Sequence, residues 1–310
     1  MDGEVARKWQ KKLTNVQAYH DEGYTGKGIT VLCHEDTEHG RYAMKVLKAI
    51  APGVDVIYAS VGQKISKGKL VKYDWTIEGR TYSFDEVMDK FKPDIISCSL
   101  KSPNSCIERE EIIQPYIDNG QLIVCTAAGN EGGKGAFPMY NNALVIGACQ
   151  FYYNDENDIR IAPYSGRTEG EEKISYVGFM WDWSGTSAAT PFVAGQIALF
   201  LERYGKISQS ELQNMLKPYC RDLGDVGKDY IYGDGLIVLP DDLDMNKRED
   251  DFMFKDVEPN RWSADAIEWA NENGIIKGMD DGTFAPEMPL TREQACVILK
   301  RFDDYILKNK

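Results

Sequence analysis

The chain has 310 residues, 43% of them hydrophobic, enough for one large core with something smaller beside it. Its formal net charge of -13 comes without a long run of like charge, which argues against nucleic acid as a partner, because phosphate binding needs concentrated positive surface. No stretch is long and apolar enough to span a bilayer, so no membrane partner is expected.

The first segment, "MDGEVARKWQKKLTNVQAYHDEGYTGKG", is polar and helical in pattern, with His20 in a solvated setting. It lacks the apolar core of a signal peptide, so the chain as written carries the expectation of a cytoplasmic protein. Five short runs follow at intervals: "GITVLCHE", "VDVIYASV", "PDIISCSL", "LIVCTAAGN" and "ALVIGACQ". Each is rich in Val, Ile and Cys and bounded by Gly, Pro or Asp, the pattern of buried strands. Between them, "GRYAMKVLKAIAPG" sets Ala43, Val46, Leu47 and Ile50 on one helical face and stops at Pro52 and Gly53. The stretch "SFDEVMDKFKP" repeats this on a shorter scale, with Ser83 as N-cap. Strand, helix, strand in succession implies parallel pairing by right-handed crossovers, and hence an α/β fold with helices on both sides of a mostly parallel sheet.

Around "LPDDLDMNKREDD" the apolar period is lost, which places a charged linker at residues 241–251 between a domain of residues 1–240 and a module of residues 252–310. The module reads as helix, turn, helix. Trp262, Ala266, Ile267 and Ala270 form one face, and Ala295, Ile298, Leu299 and Phe302 another. Asp280, Asp281 and Gly282 lack the remaining ligand spacing of a calcium-binding loop and read as a tight turn. The chain holds seven cysteines, of which Cys33, Cys98, Cys125 and Cys149 lie in the apolar runs. They read as small core hydrophobes of a reducing compartment, and no Cys or His spacing suits structural zinc.

The chemistry concentrates in three places. In "SGTSAATPFVAGQIALFLERYG", Ser187 stands beside small residues and four positions before Pro191, which can start a helix because its missing N–H would be unpaired there. A serine at such a helix N-terminus leaves room for a carbonyl and has a backbone amide at hand as oxyanion donor, although capping alone is an equal use for it. In "VCTAAGNEGG", an apolar strand delivers Asn130 at the carboxyl edge of the sheet, where ligands of open α/β sheets bind, or else makes a plain turn. A serine nucleophile needs a base, and the histidines are His20, His34 and His39. His34 lies within a strand as a hydrogen-bonded core residue, and only His39 stands at a strand-to-helix edge.

The segments "GYTGKGITVLCHE", "HG" before a helix, "IISCSL", "TAAGNEG", "SGTSAATPFVAG" and "DLGDVGKDYIYGDGL" occur in the order found in subtilisin-like serine proteases, and the chain resembles that family over residues 10–240. The resemblance implies a three-layer subtilisin-like fold and a serine endopeptidase acting through an acyl-enzyme on a peptide or protein substrate. It makes Ser187 the nucleophile, His39 the general base and Asn130 the side-chain oxyanion donor. It also makes Ser99 and Leu100 the edge strand for the peptide, with Ala127, Ala128 and Gly129 beside it in the substrate site. The chain departs from the family at the triad acid: Glu35 holds the aspartate's register, Asp36 and the "DT" pair come one place late, and the usual insertion before the histidine is all but gone. Glu35 and Asp36 therefore compete for the third role. The alternative reading is a catalytically impaired scaffold or surface-associated binding protein that keeps the protease fold. No cofactor or metal is expected, and no calcium ligand set can be matched.

The last segments, "FKDV", "WSADAIEWANENGIIKG", "DDGTFAPEMPLTREQ" and "LKRF", resemble an S-layer homology module. That likeness implies binding to a cell-wall polysaccharide with Arg292 as a contact, or self-assembly, and with it a place at the cell wall or outside the cell.

Overall fold

The computed structural model describes residues 3–34, 38–66, 69–100, 107–140, 142–181, 184–241, 254–257, 267, 269–271, 273–279 and 282–308. The chain divides into two compact units, Met1–Asp241 and Asp242–Lys310. Of the expected linker at residues 241–251, only Asp241 is among the described residues.

The first unit is built on one sheet whose interior strands are parallel. In chain order these are β1 (Thr30–His34), β2 (Asp55–Ser66), β5 (Ile95–Cys98), β6 (Ile123–Ala127), β7 (Leu144–Phe151), β9 (Tyr176–Phe179) and β11 (Leu236–Ile237). The strands β3 (Lys69–Ile77), β4 (Arg80–Tyr82), β8 (Ile159–Ile161) and β10 (Cys220–Arg221) add antiparallel partners, giving the order β10-β11-β9-β7-β6-β5-β1-β2-β3-β4 with β8 on β7. All five apolar runs are strands. The β2–β3–β4 meander was not legible, because lysines, glycines and polar residues interrupt "GQKISKGKLVKYDW" and leave no regular apolar period.

The helices of this unit are α1 (Gly3–Leu13), α2 (Val16–Asp21), α3 (His39–Ile50), α4 (Phe84–Phe91), α5 (Ile107–Asp118), α6 (Thr186–Tyr204) and α7 (Gln209–Leu216). Leu32, Ile96 and Val124 stand opposite one another in register and cluster with Phe84 and Val87 of α4 and Ile113 and Ile117 of α5. Successive strand residues point to opposite faces, and the other face is covered by α6, which packs on β5, β6, β7 and β9 with α3 alongside. The outcome is three layers.

The expected face of α3 is buried at Ala43, Val46, Leu47 and Ile50. Gly195 lets α6 lie close to α3, since a Cβ there would meet the Ile50 side chain at 2.8 Å. Ser83 caps α4 in a full capping box with Glu86. Cys33, Cys98, Cys125 and Cys149 are all buried, as a core role requires. Burial pushes the Cys125 and Cys149 thiols upward, so neither is a thiolate at neutral pH.

Two expectations need correction here. His20 is half-buried rather than solvated: its Nε2 bonds the Ile50 carbonyl at 2.7 Å and ties α2 to the end of α3. Pro191 does not open a helix, because α6 already begins at Thr186 and carries Pro191 inside it. A buried helix tolerates that loss of one N–H, since packing on the sheet holds the turn that the missing bond would have held.

In the second unit, Phe254, Val257 and Ile267 form a small cluster with Phe284 against it. The helix α8 (Arg292–Lys308) contains the second expected face, but Leu299 is 67% and Phe302 41% exposed, so that face is not a core face within this unit. Sixty-odd residues offer too little interior to cover a seventeen-residue helix. Trp262 and Ala266 lie outside the described residues, as do Asp280 and Asp281. Gly282, with φ of 81°, donates to the Met279 carbonyl at 3.1 Å and closes a turn.

Candidate active site

The strands β6, β5 and β1 are adjacent and parallel, and Thr126, Cys98 and His34 stand in one row across them. Beyond that row at the carboxyl edge come Asn130, Ser99 and His39. His39 is half-buried at the first residue of α3. Glu35 and Asp36, the competing acids, lie outside the described residues.

The helix α6 brings Ser187 to this edge as its second residue, only 6% exposed. The N-cap is Gly185, and no side chain caps it, so Ser187 is not employed as a cap. Its Oγ instead donates to the Ser99 carbonyl at 3.1 Å. Gly185 has φ of 109°, a conformation that residues with a Cβ rarely enter, and a Cβ there would stand 3.3 Å from the Asn130 Nδ2.

Asn130 and the start of α6 are joined directly. Its Oδ1 accepts the Thr186 N–H at 2.9 Å and the Thr186 hydroxyl at 3.1 Å. That leaves Nδ2 as the outward donor of an exposed side chain, so the residue is more than a turn. The first amides of a helix have no partners within it. Here Thr186 N–H goes to Asn130 and Ala188 N–H goes back to the Gly185 carbonyl at 3.0 Å. The Ser187 N–H between them has no acceptor among the described residues. Two donors and a hydroxyl thus meet at the positive end of a nineteen-residue helix, an arrangement suited to stabilising an oxyanion beside a nucleophile.

The other expected contacts divide. Ser99 and Leu100 follow an interior strand, so they are not part of an edge strand of the sheet, and the Ser99 carbonyl serves as the Ser187 acceptor. Ala127 and Ala128 are buried, and the Ala128 N–H and carbonyl are bonded to Ile146 and Phe137, so they support the strand end without presenting side chains. Gly129 is held on both sides, its N–H by the Thr186 hydroxyl at 3.2 Å and its carbonyl by Gly166 N–H at 2.8 Å. His34 is the core histidine expected, with Nδ1 2.9 Å from the Tyr140 hydroxyl and its ring 4.8 Å from that of Trp75. Sequence reasoning missed Thr186 as the brace of Asn130, although its place beside Ser187 was a signal. It also missed Tyr164, whose hydroxyl accepts the Gly185 N–H at 3.0 Å and which no local pattern marks. Among the described residues no three His, Cys, Asp or Glu side chains gather as a metal site.

Two solved structures share the fold of the first unit. A lanthipeptide protease shares the fold with a TM-score of 0.53 at 17% identity, over 74% of this chain and 92% of that one. A psychrophilic subtilisin-like protease from an Antarctic Pseudoalteromonas gives 0.54 at 11%, over 74% and 95%. The subtilase family model matches residues 28–235, and the chain belongs to the subtilase family, as a subtilisin-like serine endopeptidase. An intracellular serine protease of Paenibacillus polymyxa is 32% identical over 240 residues, which cover 70% of this chain and 67% of the relative. Subtilisin E of Bacillus subtilis is 24% identical over 268 residues, covering 71% and 67%. The S-layer homology domain model matches residues 254–296.

Proposed function

We propose that Ser187 is the nucleophile of this endopeptidase, His39 its general base, and Asn130 with the Ser187 amide its oxyanion pocket. The observation that carries this is the Thr186 N–H to Asn130 Oδ1 bond, which fixes a side-chain donor beside a serine amide at one helix end. The Ser187 Oγ attacks the scissile carbonyl carbon while its proton passes to His39, and the oxygen takes up the negative charge between the two donors. The C–N bond then breaks, the amine leaving with the proton from His39. Water, deprotonated by the same histidine, releases the acyl group. For this Ser187 turns its hydroxyl from the Ser99 carbonyl to His39 by a rotation about χ1. Glu35 and Asp36 are the candidates to orient the imidazole.

The second unit contributes attachment. Its S-layer homology match supports a role in binding a cell-wall polysaccharide, with the exposed Arg292 as a contact and the cell surface as the protein's location. Among the described residues no helix is long and apolar enough to cross a membrane.

A fluorophosphonate probe tests the catalytic reading. Labelling is expected in the wild type and lost in Ser187→Ala and His39→Ala, and comparing Glu35→Gln with Asp36→Asn names the acid. Loss of the orienting acid costs about 10⁴ in turnover and loss of the serine about 10⁶, figures that come from proteases of this kind. A folded wild type that stays unlabelled would favour a scaffold role. Sedimentation with purified cell walls tests attachment, where Arg292→Ala should leave more protein in the supernatant.

A further inference from the structure

The turn that presents Ser187 is held from outside its own helix. Gly185 offers no capping side chain and occupies a backbone conformation with many accessible neighbours, so the turn is soft unless its amides are tied. One tie is the Asn130 side-chain Oδ1 on Thr186 N–H. The other is the Tyr164 hydroxyl on Gly185 N–H, at 3.0 Å and across 21 positions of sequence.

Tyr164 has a firm footing. The next residue, Ser165, accepts the Ala148 N–H of β7 at 3.0 Å and donates its own N–H to Ala162 at 2.9 Å, so the base of the phenol is pinned to the sheet. The Tyr164 hydroxyl donates its proton to the Met180 sulfur, which leaves its lone pairs for Gly185. The Met180 carbonyl in turn accepts Gln10 Nε2 from α1 at 2.6 Å. Burial raises the phenol's pKa above the ordinary value, so the group stays neutral through and beyond the physiological range.

We infer that Tyr164 is a positioning residue for the oxyanion pocket: by accepting the Gly185 N–H it locks the Gly185–Ser187 turn, so that the Ser187 amide and the Asn130 side chain converge on one point. This rests on the catalytic reading above. Tyr164 touches no reacting atom. Its bond fixes the peptide plane that ends in the Gly185 N–H, two peptides ahead of the Ser187 amide, and an amide that wanders loses more in the transition state, where charge is concentrated, than in substrate binding.

The test compares Tyr164→Phe with wild type in the full chain, reading kcat and KM on a chromogenic peptide, the fluorophosphonate inactivation rate, and the melting temperature. Removing one hydrogen bond should lower kcat and the inactivation rate about three- to tenfold, with KM within about twofold. Tyr19→Phe is the structural control, since Tyr19 is fully buried and its hydroxyl donates to the Pro240 carbonyl at 2.7 Å away from the turn. It should lower the melting temperature and leave kcat alone. Because Tyr164 acts through the pocket, Tyr164→Phe should also lose most of its effect in an Asn130→Ala background. Equal loss of kcat in both phenol variants, unchanged kcat in Tyr164→Phe, or effects that multiply with Asn130→Ala would each overturn the inference while the catalytic reading stood. A folded wild type inert to both substrate and probe would overturn both.

Discussion

The two long helices, α6 in the first unit and α8 in the second, are of similar length and are held by opposite means. From Thr186 to Leu201 every residue of α6 is buried, yet its N-cap Gly185 has no side chain to cap with, its Thr186 N–H is taken by Asn130 from a distant loop, and it carries an internal proline. The helix α8 begins instead with a reciprocal pair, Thr291 N–H to Gln294 Oε1 at 2.9 Å and Gln294 N–H to the Thr291 hydroxyl at 3.1 Å, and keeps Leu299, Phe302 and Leu307 in solvent. A helix enclosed by a sheet and another helix can dispense with local devices, because packing supplies its stability. One on a unit with little interior depends on caps and propensity. The start of α6 is thereby freed from capping and available for chemistry.

Substitutions in the two helices can break this contrast, and the largest effect belongs to α6. Phe200→Ala removes a fully buried ring and should cost about 3–5 kcal/mol in urea unfolding of the first unit. Equal tolerance of Phe200→Ala and Phe302→Ala would end the comparison. Next comes Gly185→Ala, which places a Cβ at φ of 109° and beside Asn130. It should cost about 1–3 kcal/mol of stability and also lower turnover, whereas the same change at a position that an L-residue adopts without strain would stabilise slightly and leave turnover alone. Loss of the neighbouring donor in Asn130→Ala should reduce kcat by about two to three orders of magnitude, a value carried over from this family.

Thr291→Ala should cost α8 about 1 kcal/mol, read as reduced helicity in the second unit. Leu299→Ala, at a position already in solvent, should change stability by less than about 0.5 kcal/mol.

The smallest effect is a titration. The His20 pKa is lowered from 6.5, first by burial, with Lys11 adding to the depression and the Ile50 carbonyl opposing it. The unfolded chain therefore binds this proton more readily than the folded one. Stability from His20 is complete above about pH 6.5 and declines as pH falls through the lowered folded value. His20→Gln keeps a donor for Ile50 and should flatten the pH dependence of the melting temperature in that window.

Much of the first unit was written in local pattern. Apolar runs gave away the parallel strands, the spacing of Ala43, Val46, Leu47 and Ile50 gave the buried face of α3, and Ser83 marked a helix start. These signals are legible because each depends on neighbours within a turn or two of backbone. The same holds for Ser187 at a helix start and Asn130 after a strand, residues whose position beside an element makes their chemistry.

Tertiary structure decided the rest. It drew His20 out of solvent onto α3, moved the start of α6 ahead of Pro191, and placed Ser99 behind an interior strand. It left the Leu299 face of α8 uncovered within its own unit, where apolar spacing alone had suggested a core. Above all it brought Tyr164 to Gly185 and Asn130 to Thr186, pairs 21 and 56 positions apart in sequence. Hydrogen bonds act over about 3 Å whatever the chain separation, so only the folded sheet could show which side chains hold the serine in place.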